Sequence, residues 1–145
     1  MDSPIVYVPL ITPVDNHGHI CEKSVERLVE YSRDIVSGYI ACLTSGEGWR
    51  LNDSQWHRML ESLRKAAPQH VVIAGIERPT TQEVIVLGQL AEKLEADGIM
   101  ITTPFGSEVS QQQMLDHYHS VHEAVDLDIY IYNESELSKN TVQPE

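Results

Sequence analysis

The sequence predicts an α/β fold in which parallel strands alternate with crossover helices, and three observations carry that expectation. Short apolar runs alternate with longer stretches of helical period. Proline, glycine and capping residues punctuate nearly every junction. Five such β units occupy about 130 residues, the pace of an eight-stranded barrel of ~250 residues.

The first strand is expected over Ile5 to Ile11, ending in Thr12-Pro13 before the turn Asp15-Asn16-His17-Gly18. A helix follows from about Lys23 to Ser37, with Val25, Leu28, Val29, Ser32 and Val36 on one stripe and Gly38 as its stop. The second strand, Tyr39 to Leu43, leads into the polar loop Thr44-Ser45-Gly46-Glu47-Gly48. Asn52 or Asp53 then caps a helix reaching about Ala67, before Pro68. The third strand, Val71 to Ala74, meets Gly75, and Thr80-x-x-Glu83 forms a capping box for a helix to Leu94. Gly98 to Thr102 is the fourth strand, and Ser110-x-x-Gln113 caps a helix to Val125. Asp128 to Tyr132 is the fifth, followed by Asn133 and an irregular polar tail. The whole of 1–145 reads as one partial barrel domain without strands six to eight.

Composition narrows the function. With 41% hydrophobic and 22% charged residues the chain is ordinary for a globular domain. A net charge of −12 repels phosphate, so neither nucleic acid nor an anionic membrane surface is an expected partner. Cys21 and Cys42 are too few for a disulfide framework or a zinc motif. The amino terminus carries no basic segment followed by an apolar core, and a cytoplasmic setting is expected.

In a parallel α/β fold the loops after the strands gather at the strands' carboxyl ends, where ligands bind. Thr44-Ser45-Gly46 offers two hydroxyls and several amides just before a helix, a cradle for a carboxylate. The same residues also describe an ordinary turn. Tyr132 ends an apolar strand, either as a buried structural phenol or as a proton relay. His117, His119 and His122 share one helix, yet only His119 and His122 are neighbours on it, and no metal is expected.

Several fragments in register resemble the dihydrodipicolinate synthase and N-acetylneuraminate lyase family. Val8-Pro9-Leu10-Ile11-Thr12-Pro13 resembles its opening strand, and Thr44-Ser45-Gly46-Glu47 its Gly-Thr-Thr-Gly-Glu signature. Ile73-Ala74-Gly75, Ala96-Asp97-Gly98 with Thr103-Pro104-Phe105, and Ile131-Tyr132-Asn133 resemble its third, fourth and fifth units. The resemblance implies a (β/α)8 barrel and a lyase chemistry in which a lysine forms a Schiff base with pyruvate or a related 2-oxo acid. It implies no metal or other cofactor. It casts Tyr132 as the proton relay, Thr44 as the hydroxyl linking it to solvent or a neighbouring tyrosine, and Ser45 with the loop amides as the carboxylate holder.

The chain also departs from that pattern. Leu43 and Ser45 replace a glycine and a threonine of the signature, and Gly106 stands where the synthases often place a second tyrosine. Glu134-Ser135-Glu136-Leu137 lacks the synthases' carboxylate-gripping arginine, which argues against aspartate semialdehyde as second substrate. The family's lysine belongs to a sixth strand, so a truncated member without its nucleophile is expected. Of the four lysines, Lys23, Lys65 and Lys93 fall on or near helices and Lys139 in the polar tail. An amine in water is charged in all but about one molecule in a thousand at pH 7 and does not attack a carbonyl. A non-catalytic remnant, or half of an enzyme completed by another chain, are the rival readings, and both call for self-association or pairing with a complementary chain. If the family roles hold, the Tyr132 and Thr44 hydroxyls should lie ~2.6–3.2 Å apart.

Overall fold

The computed structural model describes residues 5–144. Five parallel strands, β1 (Tyr7–Pro9), β2 (Gly38–Ala41), β3 (Val71–Ile76), β4 (Gly98–Ile101) and β5 (Asp128–Ile131), lie side by side in sequence order. Helices α1 (Glu22–Ser32), α2 (Asp53–Ala66), α3 (Thr81–Lys93) and α4 (Gln111–Ala124) make the crossovers. Sequential parallel order is what right-handed βα units produce when each strand adds beside the last, and it is the first part of a closing barrel.

The period-2 alternation of the strands divides the apolar residues between two faces. Tyr39, Ala41, Val72, Ala74, Ile76, Ile99 and Ile101 join Val25, Trp56, Leu60, Leu87 and Val121 of the helices in one buried layer. The opposite face carries a smaller cluster of Ile40, Leu43 and Ile73, flanked by Tyr7, Met100, Tyr130 and Tyr132. The second face is the concave one, and Tyr132 belongs to it. Trp56, fully buried, donates its indole N–H to the Gly75 carbonyl at 2.8 Å and so ties α2 to β3.

Local caps set the helix starts. Asn52 accepts from Gln55 N, Ser110 from Gln113 N, and in both cases the glutamine side chain returns a bond to the cap amide. Thr80 caps α3, but the reciprocal arm differs from the expected box, because its hydroxyl bonds the Glu83 carboxylate instead (2.5 Å).

Three boundaries correct the expectation. β1 is shorter than 5–11 because the chain turns away after Leu10, with Thr12 bonding Gly46 and Asp15 closing the next turn. α1 ends at Ser32, not Ser37: Ser32 Oγ bonds the Leu28 carbonyl, Ile35 N closes a tight turn on Ser32, and Asp34-Ile35-Val36 are poor helix formers. Gly38 is therefore not a helix stop. It opens β2, where a Cβ would lie 2.3 Å from the Val71 carbonyl oxygen. The tail is more ordered than expected, with a one-turn helix α5 (Ser135–Ser138) capped by Glu134. Asn140 donates to the Pro104 and Gly106 carbonyls at 2.7 and 2.9 Å, clipping the tail to the loop after β4. Among the described residues no helix is long and apolar enough to cross a membrane.

Candidate active site

The loop after β2 is built by backbone conformations that few residues adopt freely. Cys42 leaves the strand in the left-handed region (φ 60°), and Glu47 does so again (φ 50°) between two 3-10 turns, Thr44–Gly46 and Gly48–Arg50. Such conformations cost roughly 1 kcal/mol or more each and persist only where surroundings fix them. Here the fixings are explicit. Gly48 packs so closely under Cys42 that a Cβ would fall 1.7 Å from its carbonyl oxygen. Thr12 donates its hydroxyl to the Gly46 carbonyl at 2.7 Å. Arg78, just past β3, gives its guanidinium to the Gly48 and Leu51 carbonyls at 3.2 and 2.9 Å.

Within that loop Thr44 and Ser45 are exposed and lead the first turn, while Gly46 is buried. The Gly46 amide is committed to the Leu43 carbonyl at 2.8 Å, so Gly46 shapes the turn and offers no free amide, while the hydroxyls of Thr44 and Ser45 lie on its exposed side. Tyr132 continues the β5 ladder through its amide to the Ile101 carbonyl (2.8 Å) and stands half-buried on the concave face. Its hydroxyl is 3.3 Å from Thr44 Oγ1, slightly beyond the expected window and still in hydrogen-bond contact.

The structure adds a residue to which sequence reasoning gave no role. Glu77, immediately after β3, is only 1% exposed. Its Oε1 accepts the Thr44 hydroxyl at 2.5 Å, whereas Oε2 has no partner. Burial pushes its carboxyl above the usual range, opposed by the Thr44 hydroxyl and the Trp49 amide; the Glu134 charge adds to the rise and Arg78 offsets it. Gly75-Ile76-Glu77-Arg78 reads as a strand running into a polar turn. The available signal was its place at a strand's carboxyl end, the same reasoning that singled out Thr44 and Tyr132.

The histidines go elsewhere. His117 is buried with both ring nitrogens engaged, to Thr81 and Thr102, and the amides of His17 and His19 both bond Asp15 in the first turn. Among the described residues no three His, Cys, Asp or Glu side chains come together as metal ligands. A hollow of about 450 Å³ lined by Thr80, Thr81, Pro104, Gln113 and His117 opens between α3 and α4, away from the hydroxyl pair. Its buried titratable group, His117, already serves the fold.

Comparison with known proteins gives the family of the chain. The profile of the Dihydrodipicolinate synthetase family matches residues 3–145. The 4-hydroxy-tetrahydrodipicolinate synthase of Parvibaculum lavamentivorans is 36% identical over 129 residues, which are 88% of this chain and 44% of that protein. That of Thermotoga neapolitana is 33% identical over 138 residues, 94% of this chain and 47% of the relative. The crystal structure of chloride-inhibited dihydrodipicolinate synthase from Acinetobacter baumannii complexed with pyruvate superposes with a TM-score of 0.89 at 27% identity, covering 94% of this chain and 48% of that one. The chain thus spans about half the length of the relatives it matches. From its sequential parallel sheet, its β2 turn and its match from residue 3 onward, this chain belongs to the dihydrodipicolinate synthetase family.

Proposed function

We propose that the Thr44–Ser45 turn holds the carboxylate of a pyruvate-like 2-oxo acid and that Tyr132 moves protons to and from it, the first-half share of a lyase site. The observation that carries the reading is the meeting of the Thr44 and Tyr132 hydroxyls at 3.3 Å, although 88 positions separate them in sequence. A tyrosine held by a second hydroxyl at a strand's carboxyl end is a means of proton transfer out of bulk water. The pyruvate complex of the Acinetobacter relative supports the ligand class.

These 145 residues bind without forming the imine. Lys23, Lys65 and Lys93 sit exposed on α1, α2 and α3, and Lys139 is exposed at the end of α5 in the left-handed region. None is desolvated as an imine-forming amine must be. Titrating pyruvate into the labelled chain is expected to move the amide resonances of Thr44 to Glu47 and of Tyr132, while pyruvate with borohydride leaves the mass unchanged. Absence of those shifts defeats the cradle, and a reduced pyruvyl adduct on one lysine defeats the non-covalent reading.

A second reading is favoured by the sheet edges. Among the described residues β1 and β5 each pair on one side only, and Val6 and Ile131 are exposed beside them. Such edges are templates for another strand. Association with a second copy or a complementary chain is compatible with the cradle and is tested separately below.

A further inference from the structure

We propose that Glu77 is the inner terminus of the Thr44–Tyr132 hydroxyl chain, a positioning residue that stores the proton Tyr132 exchanges at the site. The inference rests on the 2-oxo-acid reading for its purpose, but on geometry alone for its existence. Thr44 has one hydroxyl hydrogen and two oxygens competing for it, Glu77 Oε1 at 2.5 Å and Tyr132 at 3.3 Å. A carboxylate at the shorter distance takes it. At 3.3 Å the present geometry aims the Thr44 hydroxyl at the phenol oxygen; with its one hydrogen committed to Glu77, Thr44 Oγ1 keeps a lone pair that receives the phenol hydrogen once the Tyr132 O–H turns toward it. The chain is ordered, Tyr132 to Thr44 to Glu77.

An ordered chain of this kind moves one net proton by two short hops. The Tyr132 O–H bond breaks as its hydrogen joins Thr44 Oγ1. The Thr44 hydrogen leaves at the same time and bonds Glu77 Oε1. Thr44 ends as it began, the carboxylate becomes a neutral carboxyl, and the tyrosinate left behind is ready to accept a hydroxyl proton from a bound ligand. The return hops restore the starting state, so no outside acid, base or oxidant is required.

Two features make Glu77 suited to hold that proton rather than merely to brace the loop. It has no ion pair among the described residues: Arg78 spends its guanidinium on the Gly48, Leu51 and Glu77 main-chain carbonyls, with Asp53 at 3.5 Å. Its second oxygen, Oε2, is buried without a partner, an expense that a purely structural carboxylate avoids by collecting hydrogen bonds. The other groups facing it are the Glu134 carboxylate, which disfavours its charge, the Trp49 amide, and the thiol of Cys42, itself raised by burial. Both charged neighbours are thus set against or beside the carboxylate, and neither bonds it. The energetic gap between carboxylate and carboxyl is narrowed by the site itself.

The test is a carbon-13 NMR titration of the chain with labelled glutamate carboxyls. One resonance is expected to titrate above the rest and to vanish in Glu77→Gln. Thr44→Val, which removes the donor, should move its midpoint further up. Tyr132→Phe leaves Thr44 and its contact intact, so a structural carboxylate would not respond to it. A shared-proton chain requires a shift of at least about half a pH unit in that variant. No response to Tyr132→Phe, or titration of Glu77 with the exposed glutamates, overturns the proposal. Tyr132→Phe and Thr44→Val carry the test by themselves if Glu77→Gln does not fold. Loss of pyruvate binding with the Glu77–Tyr132 coupling preserved would instead defeat the ligand assignment and leave the hydroxyl chain standing.

Discussion

His117 on α4 donates its Nε2–H to the Thr102 carbonyl at 3.1 Å, pinning the fourth helix to the end of the fourth strand. A carbonyl only accepts, so in the neutral ring Nδ1 must accept from the Thr81 hydroxyl, 3.0 Å away at the start of α3. One imidazole therefore joins three elements, and it does so uncharged in a buried place that disfavours the imidazolium.

That arrangement has a pH signature. Burial lowers the His117 pKa below the ordinary 6.5, with the Thr102 carbonyl pulling the other way. A histidine with a lowered folded value contributes stability that is full above the unfolded pKa and is lost as pH falls toward the folded one. The melting temperature is expected to drop between pH 7 and 5, and His117→Gln, though less stable at pH 7, to drop less. Equal slopes in both proteins would show that His117 does not titrate on unfolding.

Gly48→Ala should cost at least about 2 kcal/mol, because its Cβ has nowhere to go but into the Cys42 carbonyl, and overpacking against backbone cannot relax by a rotamer change. Urea denaturation measures it. A loss below about 0.5 kcal/mol would mean that the turn re-forms around a side chain and is not fixed as described.

How much of this was legible beforehand divides along physical lines. Strands, helices and the caps at Asn52 and Ser110 follow from periodicity and from bonds three residues long, which a sequence displays directly. The role of Gly38 was not legible, since its close approach to Val71 depends on a strand 33 positions further on, and the early end of α1 turns on a local choice, Ser32 bonding back to Leu28, that periodicity does not display. Thr44, Ser45 and Tyr132 were singled out through their place at strand ends, and the Thr44 and Tyr132 hydroxyls do come within 3.3 Å of each other. Glu77 was given no role, because nothing adjacent in sequence announces its burial: it meets the Thr44 hydroxyl, the Trp49 amide and the Glu134 charge, all far from it along the chain.

Ser45→Asp puts a carboxylate where the ligand's own would sit. Pyruvate affinity is expected to fall more than tenfold, about 1.4 kcal/mol, whereas Ser45→Ala should keep most of it because the amides remain. Amide shift titrations distinguish the two. Equal affinity in Ser45→Asp would place the carboxylate elsewhere.

Ile131, 57% exposed on β5, offers the simplest probe of the open edge. At tens of micromolar the chain should sediment above its monomer mass, and Ile131→Lys should restore the monomer while changing stability by no more than about 0.5 kcal/mol. A monodisperse wild-type monomer would dispose of the association reading.

The fastenings of the β2 turn come from Thr12, Cys42, Gly48 and Arg78, every one of them within the first 78 residues. A ribosome makes the chain in that direction, so the turn has all its braces by the time Arg78 has cleared the exit tunnel. Tyr132 emerges 54 positions later and docks against a turn whose shape is already decided. Synthesis order alone thus makes the β2 turn the template and the phenol the latecomer.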